Sequence, residues 1–183
     1  KYIMKGVIFT EFLEMVEEKW DLTMVNSIIE GAHDPIEGAY HSVAYYDHKQ
    51  LVNLVISLHE KTKIPLNELL VVYGRYLFSK LAALHPSLLG NVDNSLSLLE
   101  NIEDLIHAEV KKLYPDANPP KFDCIRVNES LLHMKYHSHR SMSDVAEGLM
   151  QGCADHFGET IEIERKNSDE KGTSVEFILT RVG

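Results

Sequence analysis

The hydrophobic pattern of the chain changes from helical to predominantly alternating spacing at a pair of prolines, and this change constrains the fold more than any other feature. Before Pro119 and Pro120, apolar residues recur at the three- and four-residue spacing of amphipathic helices. After them, apolar residues alternate with polar ones, as they do in half-buried strands. Two consecutive prolines stiffen the link between the two parts, because each proline fixes its own φ angle.

The first part of the chain predicts a series of helices. Pro65 near the start of one helix, Pro86 at the end of the same helix and Pro115 at the end of the next lie where helices tolerate proline. The predicted helices cover residues 6–20, 24–32, 47–63, 65–86 and 95–115, and residues 38–48 are expected to form a loop or short irregular stretch with its own aromatic residues.

The second part predicts the order β-β-α-β-β. Two alternating segments in residues 121–140 flank a polar turn at Asn128 and Glu129, and residues 160–182 repeat this pattern. Residues 141–158 return to helical spacing, with Ser141 or Ser143 as the expected N-cap and Gly158 as the stop. The prediction is an α+β protein with a helical N-terminal lobe and a C-terminal lobe, in which helices accompany a four-stranded antiparallel sheet.

Length and charge set limits on the function. We expect one domain in two lobes over residues 4–183, with residues 1–3 as an extension before a native Met4. The net charge of −10 argues against nucleic acid or an anionic membrane as the main partner. The apolar runs are too short to span a bilayer, no signal peptide opens the sequence, and two cysteines make no disulfide framework. We therefore expect a cytoplasmic protein.

The segment "HMKYHSHR" from His133 to Arg140 presents two different faces if it is a strand. One face begins with Leu132 and Met134 and continues with Tyr136, Ser138 and Arg140. A buried guanidinium and buried hydroxyls need partners, and the planar fork of arginine matches a carboxylate or a phosphate. The pattern therefore indicates an anion site, although a chance polar row within the sheet is equally compatible with it.

The opposite face carries His133, Lys135, His137 and His139. Two histidines at this spacing hold a metal only when a third or fourth ligand joins them, and a lysine between them opposes a cation. A solvated polar face is therefore favoured. A zinc-dependent enzyme that uses His133, His137 and His139 remains the alternative.

Two residues in the helical part, His107 and Gly74, are candidate site residues for different reasons. His107 lies beside the apolar stripe of its predicted helix, near Glu103, so it would be a ligand only if a second apolar surface covered that flank. Gly74 lies in the middle of a predicted helix, where glycine costs about 1 kcal/mol relative to alanine. The close approach of another helix or of a flat ligand would offset this cost.

Taken together, these features resemble the haem nitric oxide/oxygen-binding (H-NOX) domain, which bacterial gas sensors share with the haem domain of animal soluble guanylate cyclase. The resemblance covers the whole chain. It rests on the opening "MKGVIF", the mid-helix "YGRYLF", His107, Pro120 thirteen residues later, and "YHSHR". The Y-x-S-x-R pattern is specific when the histidine and the proline accompany it at this spacing.

The resemblance implies a cofactor, haem b (iron protoporphyrin IX), between the two lobes. It implies that His107 is the iron ligand, and that Tyr136, Ser138 and Arg140 hold the two propionates. Pro120 would press on the porphyrin. The other implied haem contacts are Ile8 and Phe12 on the distal side, Gly74, Leu77 and Leu81 on the bordering helix, and Val145 and Leu149 on the helix after the motif.

Val145 decides the expected choice of gas. Relatives that hold dioxygen stably carry a tyrosine at this position, five residues after the motif arginine. An apolar pocket discriminates against dioxygen, whereas nitric oxide and carbon monoxide depend far less on a hydrogen bond. A donor from elsewhere, such as Tyr73 or Tyr76, stays open at this point.

Cys153 and His156 are too few ligands for the structural zinc site of some relatives.

The function implied is that of a haem-based nitric oxide sensor and not of an enzyme. A separately encoded histidine kinase or cyclic-di-GMP enzyme is the implied partner. Nitric oxide would weaken or break the iron bond to His107, free its helix, and rotate the N-terminal lobe against the sheet lobe. A dioxygen-binding haem sensor or store is the nearest alternative.

Overall fold

The computed structural model of the chain describes residues 3–183. This part of the chain forms two compact units, which divide between Tyr73 and Gly74 within one helix. The first unit contains β1 (Ile3–Lys5), α1 (Gly6–Lys19), α2 (Leu22–Gly31), β2 (Tyr45–Asp47), α3 (His48–Thr62) and the start of α4 (Leu66–Leu84). The rest of α4 belongs to the second unit.

The first unit is helical, as predicted, but it also contains a two-stranded antiparallel sheet. Ile3 pairs with Asp47 and Lys5 pairs with Tyr45, so part of the predicted loop is a strand. Three residues are too few to display the alternation of a strand, and the partner lies some forty residues away in sequence, which is why the pattern did not reveal it. Asp47 then caps α3 through its carboxylate, and Gln50 completes a capping box.

The second unit contains the remaining helices and the main sheet. Its elements are α5 (Ser95–Glu100), α6 (Ala108–Leu113), β3 (Lys121–Asn128), β4 (Leu131–His137), α7 (Ser143–His156), β5 (Thr160–Lys166) and β6 (Ser174–Val182). Four antiparallel strands lie in the order β3-β4-β6-β5. The prediction of an α+β fold with a helical N-terminal part and a four-stranded antiparallel sheet is therefore confirmed.

The long helix predicted over residues 95–115 is interrupted. The α5 helix ends at Glu100, and a π-helical turn over Glu103–His107 precedes α6. The Asn101 side chain donates a hydrogen bond to the Ser97 carbonyl at 2.9 Å. Because asparagine side chains compete for backbone groups in this way, they weaken a helix from within, and apolar spacing alone does not reveal the break.

One face of the sheet forms the core of the second unit with α5 and α7. Adjacent strands place Met134 opposite Phe177 in the middle of this core. The helix α7 begins at Ser143 after Met142, so neither Ser141 nor Ser143 is its N-cap. Residues that are fully buried in this core include Leu96, Leu98, Leu132, Met134, Cys153, Phe177 and Leu179.

The glycines of α4 and α7 allow these two helices to approach each other closely within the second unit. A Cβ atom on Gly74 would lie 2.2 Å from the Val145 carbonyl oxygen and 2.9 Å from the Gly148 Cα atom. A Cβ atom on Gly152 would lie 2.7 Å from the Phe78 Cβ atom. We expected either another helix or a flat ligand to approach Gly74 closely and offset its cost in the helix. The close approach of a helix is observed.

This packing predicts that Gly152→Ala destabilises the protein. The added methyl group overlaps the Phe78 Cβ atom and the Arg75 carbonyl oxygen, and the overlap outweighs the gain in helix propensity. We expect the free energy of unfolding, measured by urea denaturation, to fall by about 1–2 kcal/mol. The neighbouring Gln151→Ala is the control and should change it by less than about 0.5 kcal/mol. Equal stability of both variants would contradict the close packing.

Candidate functional site

The Y-x-S-x-R motif lies at the end of a strand and not along it. β4 ends at His137, Ser138 follows it, and His139 and Arg140 form a turn. The prediction of one strand through Arg140 is therefore wrong for its last three residues. The Ser138 amide still donates to the Thr173 carbonyl at 2.9 Å, which carries the register of β4 with β6 one residue further, in the connection between β5 and β6. On the other side, the register of β3 with β4 places Pro120 opposite Ser138, and because proline has no amide proton, this ladder ends before the turn.

Hydrogen bonds bring the three motif side chains together in this turn. The Tyr136 hydroxyl accepts a hydrogen bond from the Met142 amide at 3.1 Å and is hydrogen-bonded to Ser138. The Ser138 hydroxyl accepts one from the Arg140 amide at 3.2 Å. The Arg140 guanidinium donates to the Asn118 carbonyl, just before the two prolines. The motif is thus tied to the segment that leads into β3.

Burial has a clear effect on the ionisable groups of the motif. Tyr136 is almost completely buried, and burial raises the pKa of its phenol. Burial lowers the pKa of the Arg140 guanidinium, although arginine stays protonated at neutral pH. A carboxylate brought to this half-buried cation would offset the cost of its desolvation.

His107 occupies the last position of the π-helical turn and is 8% exposed. Its Nδ1 atom lies 3.1 Å from Oε1 of Glu103, and the Phe122 amide donates to the same oxygen at 2.8 Å. Burial lowers the pKa of the His107 imidazole despite the neighbouring carboxylate. The ring is therefore neutral at pH 7, and a proton on Nδ1, directed at Glu103, leaves the lone pair on Nε2.

This part of the site contains a residue that sequence reasoning did not assign. Glu103 links the histidine to Phe122, the second residue of β3. Its spacing of four residues before His107 places it on the same helical flank, and this spacing was the available signal. Short π-helical segments are also frequent at functional sites. Pro120 lies half-buried directly before β3.

Two of the predicted distal residues lie on α1 in the first unit. Phe12 is fully buried, and its ring lies edge-on to Tyr73 with 5.2 Å between ring centroids. The Tyr73 hydroxyl donates a hydrogen bond to the Ile8 carbonyl. Ile8 and Phe12 are therefore held by one residue of α4, which sequence reasoning considered only as a possible gas-binding donor.

The other predicted contacts lie on α4 and α7. Leu77 and Val145 are buried, and Leu81 and Leu149 are half-buried. Gly74 lies against the backbone of α7 between Val145 and Leu149. The structure thus brings Gly74, Val145 and Leu149 together in the second unit.

The histidine face of β4 does not assemble a metal site. His133 and His137 share this face, and Nε2 of His137 lies 3.5 Å from an oxygen of Asp123. His139 lies in the turn after the strand. Within residues 3–183, no three histidine, cysteine or acidic side chains are grouped so that they could hold a metal ion. The geometry gives no support to the zinc alternative.

The comparisons with known proteins agree on one family. The family model described as Haem-NO-binding matches residues 5–165. The unliganded Fe(II) H-NOX protein of K. algicida is 37% identical, with a TM-score of 0.91 over 98% of this chain and 97% of that chain. The Fe(II)CO H-NOX of Shewanella woodyi, bound to IWP-051, is also 37% identical, with a TM-score of 0.82 over 98% and 95%.

A third solved structure, the H-NOX protein of S. oneidensis in its Fe(II)NO state, is 28% identical, with a TM-score of 0.91 over 98% of this chain and 100% of that chain. Among curated proteins, no sequence matches the chain. None of the helices within residues 3–183 is long and apolar enough to cross a membrane.

The family match extends over most of the chain, and the solved relatives cover nearly all of it. The family consists of haem-binding sensor domains and not of catalysts. The chain therefore belongs to the haem nitric oxide/oxygen-binding (H-NOX) family.

Proposed function

We propose that this chain is a nitric oxide sensor that binds haem b through His107, with residues 4–183 as a single sensor domain. The observation that carries the proposal is the state of His107, which is buried, neutral and hydrogen-bonded through Nδ1 to a carboxylate. Histidines that ligate metals characteristically direct their second ring nitrogen at a carboxylate or carbonyl in this way.

The donor set fits haem better than it fits a bare metal ion. A porphyrin supplies four nitrogens of its own, so one protein imidazole completes the proximal side. The described residues offer one such buried imidazole and no group of three acidic, histidine or cysteine ligands. Tyr136, Ser138 and Arg140 supply two hydroxyls and a fixed cation, which suit the two carboxylates of the haem.

Apolar residues from several elements would contact the porphyrin ring. Pro120 is half-buried beside β3, and Leu77, Phe12 and Val145 are buried. Val145 offers no hydrogen-bond donor, which favours nitric oxide and carbon monoxide over dioxygen. The remaining proposed contacts are Ile8, Gly74, Leu81 and Leu149.

The chain would couple gas binding to the position of the π-helical turn. Haem, if bound here, would supply the gas-binding ferrous iron, and His107 would be the protein ligand whose bond to that iron weakens when nitric oxide binds. His107 would keep its Nδ1 proton directed at Glu103 in either state, so Nε2 remains a neutral ligand that can bind again. Loosening this bond would change the relative stability of two positions of the 103–107 turn, which the Glu103 carboxylate links to β3.

We further propose that the domain acts in the cytoplasm on a separate histidine kinase or cyclic-di-GMP enzyme. The two cysteines, Cys124 and Cys153, are both free thiols, which suits a reducing compartment. The H-NOX family consists of sensor domains, so a second protein would carry the output of the signal.

Absorption spectra of the purified ferrous protein test the function directly. We expect a Soret band, no change on mixing with air-saturated buffer, and shifted bands with nitric oxide and with carbon monoxide, because Val145 leaves no donor for dioxygen. A stable oxygenated spectrum would favour the dioxygen sensor. A colourless protein with stoichiometric zinc would favour the enzyme.

Haem retention tests the propionate clamp. We expect Arg140→Ala to weaken haem binding by about 3 kcal/mol, or ~100-fold in the rate of haem transfer to an apo-myoglobin acceptor, because two carboxylates lose their fixed cation. The control is the double variant His137→Ala/His139→Ala on the exposed side of the same segment, which should retain haem as the wild type does. Equal haem loss in both variants, or in neither, would contradict the clamp.

The signalling step can be tested by cutting the bond to the iron. Haem-loaded His107→Gly, supplied with imidazole, should bind and inhibit the cognate kinase as the nitric-oxide-bound wild type does, with no gas present. The reason is that a ligand acts through the difference in stability between two states, and removal of the bond removes that difference. His139→Ala is the control. If His107→Gly behaves like the unliganded wild type, the histidine bond is not the switch.

A further inference from the structure

Tyr73 is the last residue of the first unit and one of its most deeply buried side chains, with no exposed surface. Its hydroxyl donates to the carbonyl of Ile8, 65 residues earlier in the sequence, in the first turn of α1. Its ring packs perpendicular to the Phe12 ring, at an interplanar angle of 87°. One side chain of α4 therefore holds both ends of the helical turn from Ile8 to Phe12.

The chemistry of this contact explains why a tyrosine serves here better than a phenylalanine. The Ile8 carbonyl is placed to accept the Phe12 amide within α1, and its oxygen has a second lone pair for the hydroxyl. A buried tyrosine hydroxyl needs a hydrogen-bond partner, so the contact persists as long as the turn stays in place. The ring alone would pack against Phe12, but it would not fix the turn along the axis of α1.

We propose that Tyr73 is a positioning residue for the distal wall, because its hydroxyl fixes the first turn of α1 on α4 and thereby sets the positions of Ile8 and Phe12. This inference rests on the proposed function, in which Ile8 and Phe12 contact the haem. It gives Tyr73 a different role from that of a gas-binding donor. A hydroxyl has a single proton, and here that proton is directed at the Ile8 carbonyl.

Hydrogen exchange of haem-loaded ferrous Tyr73→Phe tests this inference. The substitution keeps the ring against Phe12 and removes the hydroxyl. We expect amides in residues 8–13 to exchange about fivefold faster than in the wild type, the size expected from the loss of one hydrogen bond. The infrared C–O band of the carbon monoxide complex should also broaden or split, because Ile8 and Phe12 then occupy more than one position.

Tyr40→Phe is the matched control. Tyr40 is also a buried tyrosine of the first unit, and its hydroxyl donates to Asp34. Its ring stacks on Phe9 of α1 with 4.5 Å between centroids, and phenylalanine preserves this stacking. We expect faster exchange only around residues 34–40 and near Gln50, whose side chain donates to the Tyr40 hydroxyl at 3.4 Å, and an unchanged C–O band.

The outcomes separate this inference from the proposed function. If residues 8–13 exchange at the wild-type rate in Tyr73→Phe, or exchange equally fast in both variants, Tyr73 does not position α1. Normal haem and gas spectra in the same samples would leave the proposed function standing. If the wild type binds no haem, the proposed function fails, and the inferred role toward haem fails with it.

Discussion

The candidate site depends on the two contacts that the carboxylate of Glu103 makes. One oxygen accepts the Phe122 amide at 2.8 Å and lies 3.1 Å from Nδ1 of His107, so a single group joins the π-helical turn to the start of the sheet. It also sets the chemical state of the imidazole. Burial disfavours the protonated ring, while the carboxylate orients the proton on Nδ1, and together they leave Nε2 as a neutral donor.

The Y-x-S-x-R motif, the proposed anion site, is formed where a strand ends. Because β4 stops at His137, Ser138 and Arg140 leave the alternation of the sheet and turn toward the buried Tyr136. Backbone groups from three other segments hold this turn, namely Thr173, Met142 and Asn118. A cation held by a rigid turn is oriented before its anion arrives, which reduces the entropy lost on binding.

Periodicity predicted the fold class because most helices and strands are long enough to show their own period, whereas it failed where single side chains interrupt the pattern or an element is very short. Asn101 breaks the helix predicted over residues 95–115, and the short pairing of Ile3 with Asp47 leaves no periodic trace. The residues of the motif were found from their types and spacing. The contacts of Glu103 with the Phe122 amide and of Tyr73 with the Ile8 carbonyl were not predicted, because these partners are backbone groups of distant segments, which a sequence does not place in space.

Whether His107 carries the haem iron can be tested by the iron–histidine stretching vibration of the ferrous, gas-free protein. We expect a resonance Raman band that shifts when the protein is labelled with ¹⁵N-histidine, disappears in His107→Gly, and returns when imidazole is added. The band should persist in His137→Ala/His139→Ala. A labelled band that survives in His107→Gly would contradict the assignment and place the iron on another histidine.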